Sequence, residues 1–92
     1  MKSITAKELS QKGNSINIID VRGRLEYLLG KKASGSKNIP MMMIMSQPDK
    51  FLDKSQQYYI VCASGARSSN VCKVLAEKGY RVINVVGGMR AY

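Results

Sequence analysis

The sequence contains no histidine and no tryptophan, and only two cysteines, two prolines and one phenylalanine. Without imidazole, every Ser-His, Cys-His and His-metal arrangement is excluded. Cys62 and Cys72 stand ten positions apart and cannot complete a four-ligand zinc site by themselves. No apolar run approaches the roughly 18 residues that a bilayer-spanning helix needs. The N-terminal MKSITAKELSQKG has no continuous apolar core, so it does not read as a secretory leader. These absences predict a cytoplasmic location with reduced thiols. Acidic residues are scarce too: fifteen Lys and Arg face six Asp and Glu, a formal charge of +9. That balance attracts anions, whether nucleic acid, acidic proteins or small anionic substrates. The few aromatics are not interleaved with the lysines, which weighs against nucleic acid. Only Lys31, Lys32 and Lys37 cluster locally.

What is present is a chain of 92 residues with 45% hydrophobic content, the size and composition of one globular domain over residues 1–92. It shows no internal repeat and no low-complexity linker, and a monomer is expected. Thr5 followed by Glu8 is a capping-box pattern and predicts a helix near Thr5–Gln11, stopped by Gly13-Asn14. Ile16–Val21 reads as a buried strand ending in an acid. Arg24–Leu29 reads as a helical turn closed by Gly30, and Ser34–Asn38 as a loop. Met41–Met45 holds four methionines in five positions. It fits either a short core-facing helix or an adaptable apolar lining near a binding mouth. Tyr58–Cys62 has strong strand composition. Val71, Val74, Leu75 and Lys78 recur at helical spacing before Gly79, and Arg81–Val86 is a further strand ending in Gly87-Gly88. Short apolar strands alternating with helices predict an α/β fold with a small parallel β-sheet flanked by helices on both faces.

Chemistry concentrates where the Tyr58–Cys62 strand gives way to a helix. Ligands of open α/β sheets bind at the carboxyl ends of the strands. Ala63, Ser64, Gly65 and Ala66 carry no bulky side chain, so the loop can curl its N–H groups around one point as an anion-binding nest. Arg67 adds a permanent forked positive charge. All of these favour a thiolate, so the Cys62 pKa is expected to be depressed. Cys72 lies mid-helix and reads as structural or partly exposed, with a resolving role toward Cys62 as the alternative.

Asp20-Val21-Arg22, Glu26-Tyr27, Asn38-Ile39-Pro40, Cys62-Ala63-Ser64-Gly65-Ala66-Arg67-Ser68 and Gly87-Gly88-Met89, in this order and spacing, resemble a single-domain rhodanese, of the sulfurtransferase family. The resemblance covers most of the chain. It implies that Cys62 is the nucleophile and persulfide carrier. It implies an anionic donor such as thiosulfate, and an acceptor such as cyanide, a small thiol or another protein's cysteine. Ala63, Ser64, Gly65, Ala66 and Ser68 would line the anion site, and Arg67 would give bidentate hydrogen bonds to the donor. Asp20 and Arg22 would give structural support by hydrogen bonding and ion pairing, and Glu26 would be structural as well. No cofactor and no metal enters this reading.

Four residues separate Cys62 from Arg67, one fewer than in the related phosphatases, and the narrower cradle favours sulfur transfer over phosphoryl transfer. Lysines stand in the region where relatives carry Gly-His, and either Gly30 or Lys31 aligns with the family glycine. The alternative function is a non-turnover sulfur carrier or protein-docking module, with Lys31, Lys32, Lys37 and Met41–Met45 as its surface. Nucleic-acid binding, and arsenate reduction or phosphatase activity, are weaker alternatives.

Overall fold

A computed structural model describes all 92 residues. Its centre is a five-stranded sheet in the order β1-β5-β4-β2-β3, with β1 Lys2–Thr5, β2 Asn17–Asp20, β3 Lys37–Asn38, β4 Gln57–Val61 and β5 Arg81–Val86. Every pairing is parallel. Parallel strands need crossovers, and helices supply them: α1 Ala6–Ser10, α2 Arg24–Leu29, α3 Met41–Ser46, α4 Pro48–Phe51 and α5 Ala66–Glu77. A 3₁₀ turn, Gly88–Ala91, follows β5.

Alternation along the strands sorts side chains into two cores. Tyr58, Ile60 and Cys62 join Val71, Cys72 and Leu75 of α5 and Ile44 of α3 on one face. Tyr59, Val61, Ile83 and Val85 join Ala6 and Leu9 of α1 and Met89 on the other. Both faces of β4 are therefore covered, which is why it reads as a continuous apolar run. The architecture is the predicted α/β sheet with helices on both faces.

Details depart from the sequence reading. The first residues form an edge strand, because Lys2–Thr5 pair with Ile83–Val86. Lys37–Asn38, read as loop, forms a two-residue strand against Ile19 and Asp20. In the Met-rich helix, Ile44 is fully buried and Met41 and Met45 pack on the core, while Met42 and Met43 face solvent. The lysines at 31, 32 and 37 have separate surroundings. Lys31 Nζ donates to the Tyr92 carbonyl at 2.6 Å, and Lys32 Nζ to the Leu28 carbonyl at 3.3 Å. Lys37 lines a groove of about 530 Å³ with Lys50, Phe51 and Tyr58. No helix is long and apolar enough to cross a membrane.

Candidate active site

β4 ends at Val61, and the next residue, Cys62, lies at the carboxyl edge of the sheet with its side chain fully buried. The chain turns at Gly65, whose φ of +101° is a backbone conformation open to glycine and strained for any side chain. That turn points the Gly65 N–H at Cys62 Sγ, 3.0 Å away. The first turn of α5 then brings the Ser68 N–H and the Ser68 hydroxyl to 3.4 Å from the same sulfur. Burial pushes the Cys62 thiol up. Hydrogen bonds that the thiolate form draws from the Ser68 hydroxyl and from the N–H groups of Ser68, Gly65 and Ser64 outweigh it, and the pKa lies below the ordinary thiol value. Cys72 is buried without such donors. Burial, and then the nearby Cys62, push it up to about 12. It is a core residue with no exposed surface.

The loop is braced from below by the turn that follows β5. The Met89 N–H donates to the Cys62 carbonyl at 2.8 Å, and the Arg90 N–H to the Ala63 carbonyl at 3.0 Å. A Cβ at Gly88 would run into the Cys62 carbonyl oxygen. Gly87-Gly88-Met89 is thus the floor on which the cysteine loop rests. Asp20 and Arg22 form a buried bidentate pair, with Arg22 Nη2 2.8 Å from Asp20 Oδ2. Arg22 Nη2 also donates to the Lys31 carbonyl at 2.9 Å. Asn38 Nδ2 donates to the carbonyls of Asp20 and Arg22 at 3.0 and 2.9 Å. These sequence pieces, distant along the chain, lock the turn between β2 and α2.

The predicted anion-site residues do not all reach the sulfur. Gly65 and Ser68 do. The Ala63 carbonyl is held by Arg90, and Ala66 is exposed. Arg67 departs most from the sequence reading. Its Nη1 and Nη2 donate to Glu26 Oε1 and Oε2 at 2.7 and 2.8 Å, so the fork expected to face a donor is occupied by a carboxylate. Arg67, and then the Gly23 N–H, hold the Glu26 carboxyl down to about 2. Sequence reasoning also missed Asn84. It occupies the core-facing step of β5 beside Val85, is 5% exposed, and accepts from Ser68 Oγ at 2.5 Å. A polar residue within an apolar strand was the available signal, since buried polar groups require partners.

The parallel sheet, the glycine-turned cysteine loop and the Gly-Gly floor define a rhodanese-type site. The Rhodanese-like domain family matches residues 5–92, and this chain belongs to that family. It is 37% identical over 91 residues to YtwF of Bacillus subtilis, provisionally named a sulfurtransferase, covering 94% of this chain and 82% of that protein. It is 36% identical over 87 residues to Bacillus subtilis YrkF, provisionally named a sulfur carrier protein, covering 91% of this chain and 45% of YrkF. The crystal structure of a rhodanese-like domain protein from Staphylococcus aureus superposes with a TM-score of 0.85 at 41% identity, covering 99% of this chain and 90% of that one.

Proposed function

We propose that this protein is a sulfurtransferase that moves a sulfane sulfur from an anionic donor such as thiosulfate to a thiophilic acceptor through a persulfide on Cys62. The observation that carries the reading is the convergence of the Gly65 and Ser68 N–H groups on one sulfur at the carboxyl edge of the sheet. Fixed backbone donors stabilise negative charge there without reorganising during the reaction.

The Cys62 thiolate attacks the outer sulfur of the donor. A sulfur–sulfur bond to Cys62 forms, the bond to the sulfonate group breaks, and its electron pair leaves with sulfite. The outer sulfur of the persulfide carries the negative charge into the ring of N–H groups. An acceptor (cyanide, a small thiol or a protein cysteine) attacks that outer sulfur, and the electron pair of the breaking bond returns to Cys62 as thiolate. This is two-step covalent catalysis without an imidazole base. An anionic donor reaches the Arg67 fork by exchanging with the Glu26 carboxylate. Asp20 and Arg22 serve the site by holding the β2–α2 turn, and no cofactor or metal is required. In this reading one domain over residues 1–92 acts as a monomer in the cytoplasm.

A sulfur-carrier role without free turnover uses the same persulfide. The YrkF relationship favours keeping it as the second reading. Intact-mass and peptide mass spectrometry after thiosulfate treatment tests both. The expected adduct is about 32 Da, one sulfur atom, on the peptide holding Cys62 and absent from Cys62→Ser. A wild-type protein that takes no adduct from thiosulfate or from a persulfide donor overturns the proposal. An adduct without thiocyanate formation from cyanide selects the carrier.

A further inference from the structure

Ser68 has one hydroxyl proton and three neighbours that compete for it. Its Oγ lies 2.5 Å from Asn84 Oδ1, 3.2 Å from the Gly65 carbonyl oxygen and 3.4 Å from Cys62 Sγ. Ser68 is fully buried and Asn84 nearly so, which makes the choice consequential. The shortest contact identifies the acceptor as Asn84. With its proton there, Ser68 Oγ presents lone pairs to Cys62, and the Cys62 S–H donates to Ser68. The resting arrangement is thus a chain that runs from the thiol through the hydroxyl to the amide oxygen. It suits a neutral thiol. It opposes a thiolate or a persulfide anion, which would face those same lone pairs.

We propose that Asn84 is a positioning residue that holds the Ser68 O–H away from Cys62 in the thiol form, so that charging the sulfur is coupled to turning that hydroxyl from Asn84 onto the sulfur. On ionisation the thiol proton leaves to solvent, and no other covalent bond changes. The Ser68 proton then joins the Gly65 and Ser68 N–H groups around the anion. Asn84 keeps a partner if its amide turns and offers Nδ2, which now lies 3.5 Å from the Gly65 carbonyl oxygen, to Ser68 Oγ. The inference builds on the reading of Cys62 as the sulfur carrier and names what regulates its charge.

Other charged and titratable groups act on this sulfur, and an Asn84 substitution leaves them in place. Arg67 and Cys72 on α5 interact with it electrostatically, with Glu26 of α2 paired to Arg67. The Asp20–Arg22 pair lies at the end of β2, and Arg90 contributes only its backbone N–H beneath the loop.

The test is an ultraviolet thiolate titration of the full chain without any sulfur donor. Cys72, pushed up to about 12, stays silent through the relevant range. Asn84→Leu keeps the branched shape and removes the acceptor. The expected result is a Cys62 titration moved to lower pH, with the thiolate-to-thiol ratio at a fixed pH raised about tenfold, the scale of one hydrogen bond to a charged group. The shift should vanish in a Ser68→Ala background, which has no hydroxyl to redirect. Asn84→Ala serves the same purpose should the leucine variant fail to fold, with circular dichroism as the check on folding. An unmoved or raised titration in a folded variant overturns the proposal, as does a shift that persists without Ser68. The readout needs no sulfur transfer. A shifted titration in a protein that forms no persulfide would sink the proposed function and leave this inference standing.

Discussion

Arg67 gives both terminal nitrogens to Glu26, tying the start of α5 to α2 through two hydrogen bonds of 2.7 and 2.8 Å. The cation expected to meet an anionic donor is therefore already neutralised by a carboxylate. Glu26→Gln should leave Arg67 freer to bind the donor and raise kcat/KM for thiosulfate by about 2–5-fold, the scale of an exposed ion pair. Arg67→Ala should raise the thiosulfate KM and lower turnover. Steady-state kinetics distinguish these roles. A fall in kcat/KM for Glu26→Gln would mean that the carboxylate aligns Arg67 and does not compete for it.

The same pair sets an acid-side signature. The Glu26 pKa in the folded chain, about 2, lies below its ordinary value of 4.5. A lowered carboxyl pKa adds stability that is fully present above the unfolded value and is lost as pH falls through about 2. Both side chains are over a third exposed, so solvent screening limits the contribution to about 0.2–1 kcal/mol. Thermal melts from neutral pH downward should show the wild type losing its margin over Glu26→Gln across that window.

At Gly88 the backbone of the site leaves no room for a side chain. An added methyl group would collide with backbone atoms of Cys62 and Ala63, and no side chain is available to yield. Gly88→Ala is expected to destabilise the fold by about 2–4 kcal/mol. It should also impair Cys62 more than Gly13→Ala does, because Gly13 has a positive φ and open space around it. Paired melting curves and persulfide yields check this. Equal effects at both glycines would contradict the loop-floor role.

The two thiols should separate under alkylation. Cys62 is lowered and Cys72 raised to about 12, so iodoacetamide should modify Cys62 alone in the folded protein. The Cys62 rate should hold as pH falls below the ordinary thiol value and decline only through its own lower pKa. Peptide mapping after timed quenching reads this, and Cys72 modification at the same rate would refute the ordering.

The sequence carried the sheet and the cysteine loop because their determinants are local. Tyr58–Cys62 is a strand by composition, Gly65 is the residue that can turn there, and the Thr5–Glu8 capping box forms as its spacing predicts. Lys2–Thr5 escaped because an edge strand so exposed has little hydrophobic pattern, and its pairing with β5 is a long-range matter. The pairing of Arg67 with Glu26 is hidden from the sequence for the same reason. The two lie 41 positions apart, and nothing in the spacing of two charges says that helices α2 and α5 will bring them together. Asn84 is intermediate: its polarity within an apolar strand is visible, but the hydroxyl it holds is not.

Helix α2 buries none of its six side chains, and Leu25, Leu28 and Leu29 face solvent. It is held by the Glu26–Arg67 pair, by the Tyr27 hydroxyl donating to the Ser36 carbonyl at 2.9 Å, and by the Gly23 N–H on Glu26. Lifting it therefore breaks polar contacts while both apolar clusters stay packed. In free-energy terms it is a low-lying local unfolding unit, whose amides exchange ahead of those in β4 and β5. Through Glu26 and Arg67 it is tied to the helix that follows the Cys62 loop. The Arg67 guanidinium is then released whenever this helix lifts, with the core unaltered.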